Sequence, residues 1–213
     1  MTHTLVLFSG GKDSAVAFFW ALREYDKVTA LSIDYPGRPN QEKMAAEVIV
    51  ADTRADLLSA TLPFMFSSEQ GYTGAEQRPA ITSKESAYIP MRNLLFYAVA
   101  GYYAEILQIE SIILGNYRGE GITYPDASQG FLRQMETVFS LSMSRKYLGS
   151  CDRLLLNTPL LELDEYEVAL LGKELGVPFP LTWSCWRDLE SPCMQCYSCE
   201  ERERVFLKSG INA

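Results

Sequence analysis

Six residues near the start of the chain, Ser9-Gly10-Gly11-Lys12-Asp13-Ser14, bring glycines together with hydroxyl, ammonium and carboxylate side chains. Adjacent glycines let the backbone turn tightly and let an anion approach the main chain, while Ser9 and Ser14 add hydroxyl donors and Lys12 can pair with a phosphate. Leu5-Val6-Leu7-Phe8 just upstream reads as a buried strand and Ser14 to Arg23 as a helix. The hexapeptide therefore occupies a βα turn, where an open parallel sheet places its ligand crevice and where helix N–H groups point at negative charge. It is not the Gly-x-x-x-x-Gly-Lys-Ser/Thr pattern of ordinary P-loop hydrolases, because the glycine spacing differs. A tight turn in which Asp13 or Ser14 caps the helix would use the same residues for structure alone.

A second cluster lies at the other end, where Cys185, Cys193, Cys196 and Cys199 are spaced Cys-x7-Cys-x2-Cys-x2-Cys. In a reducing compartment such a cluster is better suited to a metal than to disulfides. Four thiolates complete a tetrahedral zinc ion and leave no open position for catalysis, so the expectation is a closed structural site. An iron–sulfur cluster or redox pair is the rival, since four cysteines also bind clusters. The remaining cysteine, Cys151, has no evident partner and reads as a buried thiol.

The elements that must hold these groups alternate along the chain. Val28 to Ile33 reads as a second strand ending at Asp34, Gln41 to Ala46 as a helix, Val48-Ile49-Val50 as a short strand and Asp52 to Ala60 as a helix. Periodicity fails from about Thr61 to Ala87, which reads as a lid or substrate loop, with partial disorder as the alternative. Leu94 to Leu107 then reads as a long helix, Ser111 to Leu114 as a strand stopped by Gly115, Phe131 to Met143 as a helix and Leu154 to Leu156 as a strand. Glu165 to Leu175 reads as a helix ended by Gly176 and Pro178, and Glu200 to Phe206 as the last one. Such alternation predicts a parallel sheet covered by helices.

Bulk properties narrow the function. A chain of 213 residues, 47% hydrophobic and 22% charged, can bury the core of one domain. Its formal net charge of -8, with no dense Lys/Arg block, favours a small-molecule substrate over nucleic acid. No apolar run approaches the roughly 20 residues of a membrane span, and no charged leader precedes the first strand, so no membrane contact and a cytoplasmic location are expected.

The hexapeptide matches Ser-Gly-Gly-x-Asp-Ser, the signature of the PP-loop ATP pyrophosphatases. Ala30-Leu31-Ser32-Ile33-Asp34-Tyr35 with Arg38, Tyr88-Ile89-Pro90-Met91-Arg92-Asn93, Asn157-Thr158-Pro159-Leu160 and the four cysteines follow in an order that resembles the 7-cyano-7-deazaguanine synthase family from Leu5 to Phe206. The family's Asp-Tyr-Ser-Gly-Tyr-Pro-Asp-Cys-Arg loop corresponds to Glu120 to Ser128, keeping Tyr124, Pro125 and Asp126 but replacing the leading Asp with Glu120 and Cys-Arg with Ala127-Ser128. Pro39 stands where a histidine usually follows Arg38.

The resemblance implies a doubly wound, mainly parallel, Rossmann-like sheet of the adenine-nucleotide α-hydrolase type over residues 1–180, and a zinc module over 181–213. It implies conversion of 7-carboxy-7-deazaguanine and ammonia to 7-cyano-7-deazaguanine, with ATP, Mg²⁺ and Zn²⁺. Phe8, Ser9, Gly10, Gly11, Lys12, Asp13, Ser14 and Asp34 would then hold ATP, with Asp13 helping to hold Mg²⁺. Lys12, Asp13 and Arg92 would act in catalysis, and Arg38, Tyr88, Arg92, Asn93, Tyr124 and Asp126 would contact substrate. A homodimer is the default assembly. Because no serine replaces a bidentate cation, the change at Ser128 also raises a relative that stops at the amide or joins the acyl group to another amine, such as a protein N-terminus. A tRNA-modifying PP-loop enzyme is a third reading, and it would need a basic docking face.

Overall fold

A computed structural model describes residues 2–65, 89–144 and 153–212. Five parallel strands form one sheet: β1 (His3–Leu7), β2 (Lys27–Asp34), β3 (Asp56–Thr61), β4 (Ser111–Ile113) and β5 (Leu155–Asn157). Their order is β3-β2-β1-β4-β5, so the chain reverses direction across the sheet between β1 and β4. That reversal opens a crevice at the carboxyl ends of the two strands.

Alternation of side chains along the strands feeds two cores. Val6, Phe8, Val28, Ala30 and Ile113 face one side, where they meet α1 (Lys12–Glu24), α2 (Asn40–Ala51), α6 (Glu165–Glu174) and α7 (Tyr197–Ser209). Leu5, Leu31, Ile33, Ile112 and Leu114 face the other, against α3 (Arg92–Leu107) and α5 (Gln129–Ser142). Helices on both faces explain why the strands read as nearly continuous apolar runs. The doubly wound parallel sheet expected from the sequence is what the chain adopts.

Two expectations fail side by side. Val48-Ile49-Val50 is not a strand but the end of α2, and the run from Asp56 is not a helix but β3. The β-branched triplet suits a strand locally, yet Ala45, Ala46, Ile49 and Val50 are buried together at helical spacing, and that stripe decides. Leu57, Leu58 and Ala60 have little strand preference, but β3 pairs with β2 over six residues from Asp56 to Thr61, a long-range gain that outweighs local propensity. The sequence also gave no sign of α4 (Arg118–Thr123), a short helix containing Gly119 and Gly121. Most of the loop read from Thr61 to Ala87, together with Tyr88 and Cys151, lies outside the described residues.

Helix ends are set by local chemistry. Asp164 caps α6 by accepting from Tyr166 and Glu167 N–H, while the Glu167 side chain accepts from Asp164 N–H. Ser128 caps α5 through Phe131 N–H.

Candidate active site

The hexapeptide closes the turn from β1 into α1. Gly10 takes φ +91, and a Cβ there would lie 2.4 Å from the Glu42 carbonyl oxygen and 2.7 Å from the Ala46 nitrogen, so only glycine lets the loop rest on α2. Ser9 and Ser14 bond hydroxyl to hydroxyl at 3.0 Å, and Gly11 N–H donates to Ser9 Oγ at 3.0 Å. The first helical bond of the turn runs from Ala15 N–H to the Gly11 carbonyl, so the amides of Lys12, Asp13 and Ser14 precede the helix ladder and open an anion-binding end.

Across the crevice, the stretch after β4 approaches so closely that a Cβ on Gly115 would meet Ser14 Cα at 3.0 Å. Together they floor a cavity of about 710 Å³, within the range of a small-molecule site. Ser9, Gly11, Lys12, Asp13 and Ser14 line it, as do Arg92, Asn93, Tyr124 and Asp126.

Lys12 is 6% exposed and its Nζ lies 2.9 Å from Asp13 and 3.6 Å from Glu201 of α7. Burial alone would lower its pKa, but these two carboxylates overcome that and hold the ammonium charged. Arg92 also stays protonated: desolvation opposes its charge, while Tyr35, Glu120 and Tyr124 favour it. Asp126 accepts from Asn93 N–H at 3.2 Å and from Asn93 Nδ2 at 3.1 Å, so it fixes the first turn of α3 that presents Arg92 and Asn93.

Other predicted residues stand behind the wall. The Phe8 ring stacks on Phe18 in the core at 4.7 Å. Asp34 pairs with Lys43 at 3.3 Å and, with Gly10 and Arg38, does not line the cavity. Arg38 is buried behind the wall, where its guanidinium donates to Ser32 Oγ and the Ile33 carbonyl at 2.9 Å, to the Ser9 carbonyl, and to Glu42 at 3.1 Å. It thereby ties the glycine loop to β2 and α2. Ala127 is wholly buried and Ser128 caps α5, and neither of these two side chains lines the cavity.

Several lining groups, among them Glu42, Arg118, Asp164, Glu165 and Glu201, were not singled out by the sequence. Carboxylates of Asp13, Glu42, Glu120, Asp126, Asp164, Glu165 and Glu201 face cations of Lys12, Arg92, Arg118 and Arg204, so acids outnumber bases. Glu120 has its pKa raised to about 7, first by desolvation and then by Asp13. Its place at the head of the divergent loop was the only signal available.

The four cysteine sulfurs lie within 4.8 Å of one another, close to the roughly 3.8 Å edge of a tetrahedron with zinc–sulfur bonds near 2.3 Å. Cys185 Sγ accepts from Arg187 and Cys193 N–H, and Cys193 Sγ from Cys196 N–H, all at 3.3–3.4 Å. Such bonds stabilise thiolates, and the set can hold a metal such as zinc. This knuckle is also a wall of the cavity through Trp183, Ser184, Cys185, Trp186 and Tyr197. Trp183 N–H donates to the Gly10 carbonyl at 2.9 Å, and Asp188 accepts from Asn40 N–H at 2.8 Å at the head of α2. Val205 and Phe206 complete the attachment by entering the main core.

Comparison with known proteins agrees with this architecture. Over its full length the chain is similar to the structure of NMN synthetase from Francisella tularensis, with a TM-score of 0.52, 17% identity and 78% of that chain covered. A 4-thiouridine synthetase solved as an RNA complex with bound ATP gives a TM-score of 0.50 at 16% identity, covering 98% of this chain and 50% of that one. At these identities the likeness shows the fold alone. Sequence comparison goes further. Proteins named 7-cyano-7-deazaguanine synthase are 34% identical in Aquifex aeolicus, over 95% of each chain, and 31% identical in Persephonella marina, over 97% of this chain and 93% of that one. The family profile described as "Queuosine biosynthesis protein QueC" matches residues 3–210, and with these full-length relatives it shows that the chain belongs to the QueC family of queuosine biosynthesis enzymes.

Proposed function

We propose that the chain uses ATP to convert 7-carboxy-7-deazaguanine and ammonia into 7-cyano-7-deazaguanine, releasing AMP and pyrophosphate. The observation that carries this reading is one cavity of about 710 Å³ bounded by the glycine loop, Arg92 and the Tyr124 to Asp126 segment. It offers an anion-binding end and a polar end within the reach of one substrate pair.

A carboxylate is a poor electrophile and its oxygen a poor leaving group. Attack by that oxygen on the α-phosphorus expels pyrophosphate and converts the oxygen into part of AMP. Ammonia then forms the C–N bond as AMP leaves, giving the amide. A second adenylation, on the amide oxygen, lets AMP depart with loss of the N–H protons and leaves the nitrile. The protein contributes mainly position and fixed dipoles. Ser9 to Ser14 hold the phosphates, Lys12 and Arg92 offset their charge, and Asn93, Tyr124 and Asp126 orient the heterocycle. Both Asp126 oxygens already serve Asn93, but each keeps acceptor capacity for the N–H groups of a guanine-like edge.

The excess of carboxylates in the cavity makes bare ATP unfavourable, and Mg²⁺ held by Asp13 and the phosphates would neutralise both. Zinc on the four thiolates would have no open position and would serve structure. Mass spectrometry of a reaction containing ATP, Mg²⁺, ammonium and the acid tests the assignment. The nitrile with AMP is expected. An amide as end product, or a conjugate to another amine, would favour the acyl-transfer alternative, and release of ADP would contradict both.

A further inference from the structure

Resting on the adenylation reading, we propose that Glu120 is the proton acceptor for the ammonia step, a catalytic residue that takes a proton from the incoming nitrogen nucleophile. Its place in the cavity carries the assignment. Glu120 lies on α4 at the cavity wall, and Arg92, Lys12, Asp13 and Glu201 face it from α3, α1 and α7. It thus lines the same cavity as the loop read as holding phosphate and the helix end read as holding the substrate acid, and the charges of both reach its carboxylate.

The carboxylate is also aimed. Asn116 Nδ2 donates to Glu120 Oε2 at 3.4 Å, and the hydroxyl of Tyr97 donates to Asn116 Oδ1 at 3.4 Å. Tyr97 is 2% exposed and Tyr117 lines the cavity beside it, and burial raises the pKa of both phenols, so neither competes as a base near neutrality. Cations alone would depress Glu120, but Arg92 and Lys12 are outweighed by desolvation and by Asp13, which leaves a carboxyl titrating at about 7. A base is most useful when its pKa lies close to the working pH.

The protons balance. Ammonium, the dominant form in neutral water, gives one proton to the Glu120 carboxylate and becomes ammonia. The nitrogen lone pair then forms the C–N bond, the bond from the acyl carbon to the AMP oxygen breaks, and a second proton leaves nitrogen for solvent or the departing phosphate.

Hydroxylamine separates this role from adenylation, because it is already neutral at pH 7 and needs no base to expose its lone pair. The ratio of amide plus nitrile formed with ammonium to hydroxamate formed with hydroxylamine is the readout. In E120Q this ratio should fall on the order of 100-fold at neutral pH, the wild type's levelling-off above about 7 should give way to a continued rise toward the pKa of ammonium as free ammonia takes over, and E120D should restore part of the loss. Equal loss with both nucleophiles, or rescue of E120Q by raised Mg²⁺, would overturn the proposal by making Glu120 an ATP or metal ligand. If the wild-type enzyme makes neither AMP nor hydroxamate, the adenylation reading fails instead.

Discussion

Arg38 shows how a charged residue in a binding motif can be structural. Its side chain is 2% exposed, and its donors reach Ser32, Ile33, Ser9 and Glu42. Arg38→Ala would leave Glu42 without its cation and the two backbone carbonyls without this donor, a loss of about 3 kcal/mol or more. A lowered urea midpoint checks this; unchanged stability with weakened substrate binding would return Arg38 to the binding site. Gly10→Ala introduces both a strained φ and a 2.4 Å approach to backbone, so a loss of roughly 2 kcal/mol or more is expected, with ATP affinity falling in a calorimetric titration. Glu120 gives the opposite sign. Since the folded chain raises its pKa from 4.5 to about 7, ionisation opposes folding. Stability of the wild type relative to E120Q should therefore fall from pH 4.5 to about 7 and then level off, which parallel denaturation curves would show.

At the scale of elements, the βα turn was legible because Ser9 to Ser14 carries its geometry in its own residue types. The four thiols were legible for the same reason. Where α2 ends and β3 begins was not: Val48-Ile49-Val50 has the local chemistry of a strand, and only the burial of Ala45, Ala46, Ile49 and Val50 makes it helix. The role of Arg38 was hidden too, because nothing in its neighbours along the chain reveals that Ser9 and Ile33 carbonyls converge on it. The cysteine knuckle joins the two scales, since it contributes Trp183 and Trp186 to the cavity and bonds Gly10. Metal binding in such a knuckle is folding energy. Chelation should lower Tm by roughly 10 °C and weaken ATP binding with it; chelation that lowers Tm while ATP affinity stays fixed would show the knuckle to be a separate unit.

For the whole molecule, the parallel sheet and its reversal between β1 and β4 place the glycine loop beside the stretch after β4, and the helices on both faces hold that crevice open. Among the described residues no helix is long and apolar enough to cross a membrane. Charge matters at this scale as well: an acidic cavity in a chain of net charge -8 repels free nucleotide and should make ATP binding strongly dependent on Mg²⁺. In the proposed reaction the substrate's carboxylate oxygen becomes part of AMP. Labelling that carboxylate with heavy oxygen and weighing the nucleotide product tests it directly. Label is expected in the phosphate of AMP, whereas unlabelled AMP, or label carried into inorganic phosphate beside ADP, would rule out attack by that oxygen on the α-phosphorus.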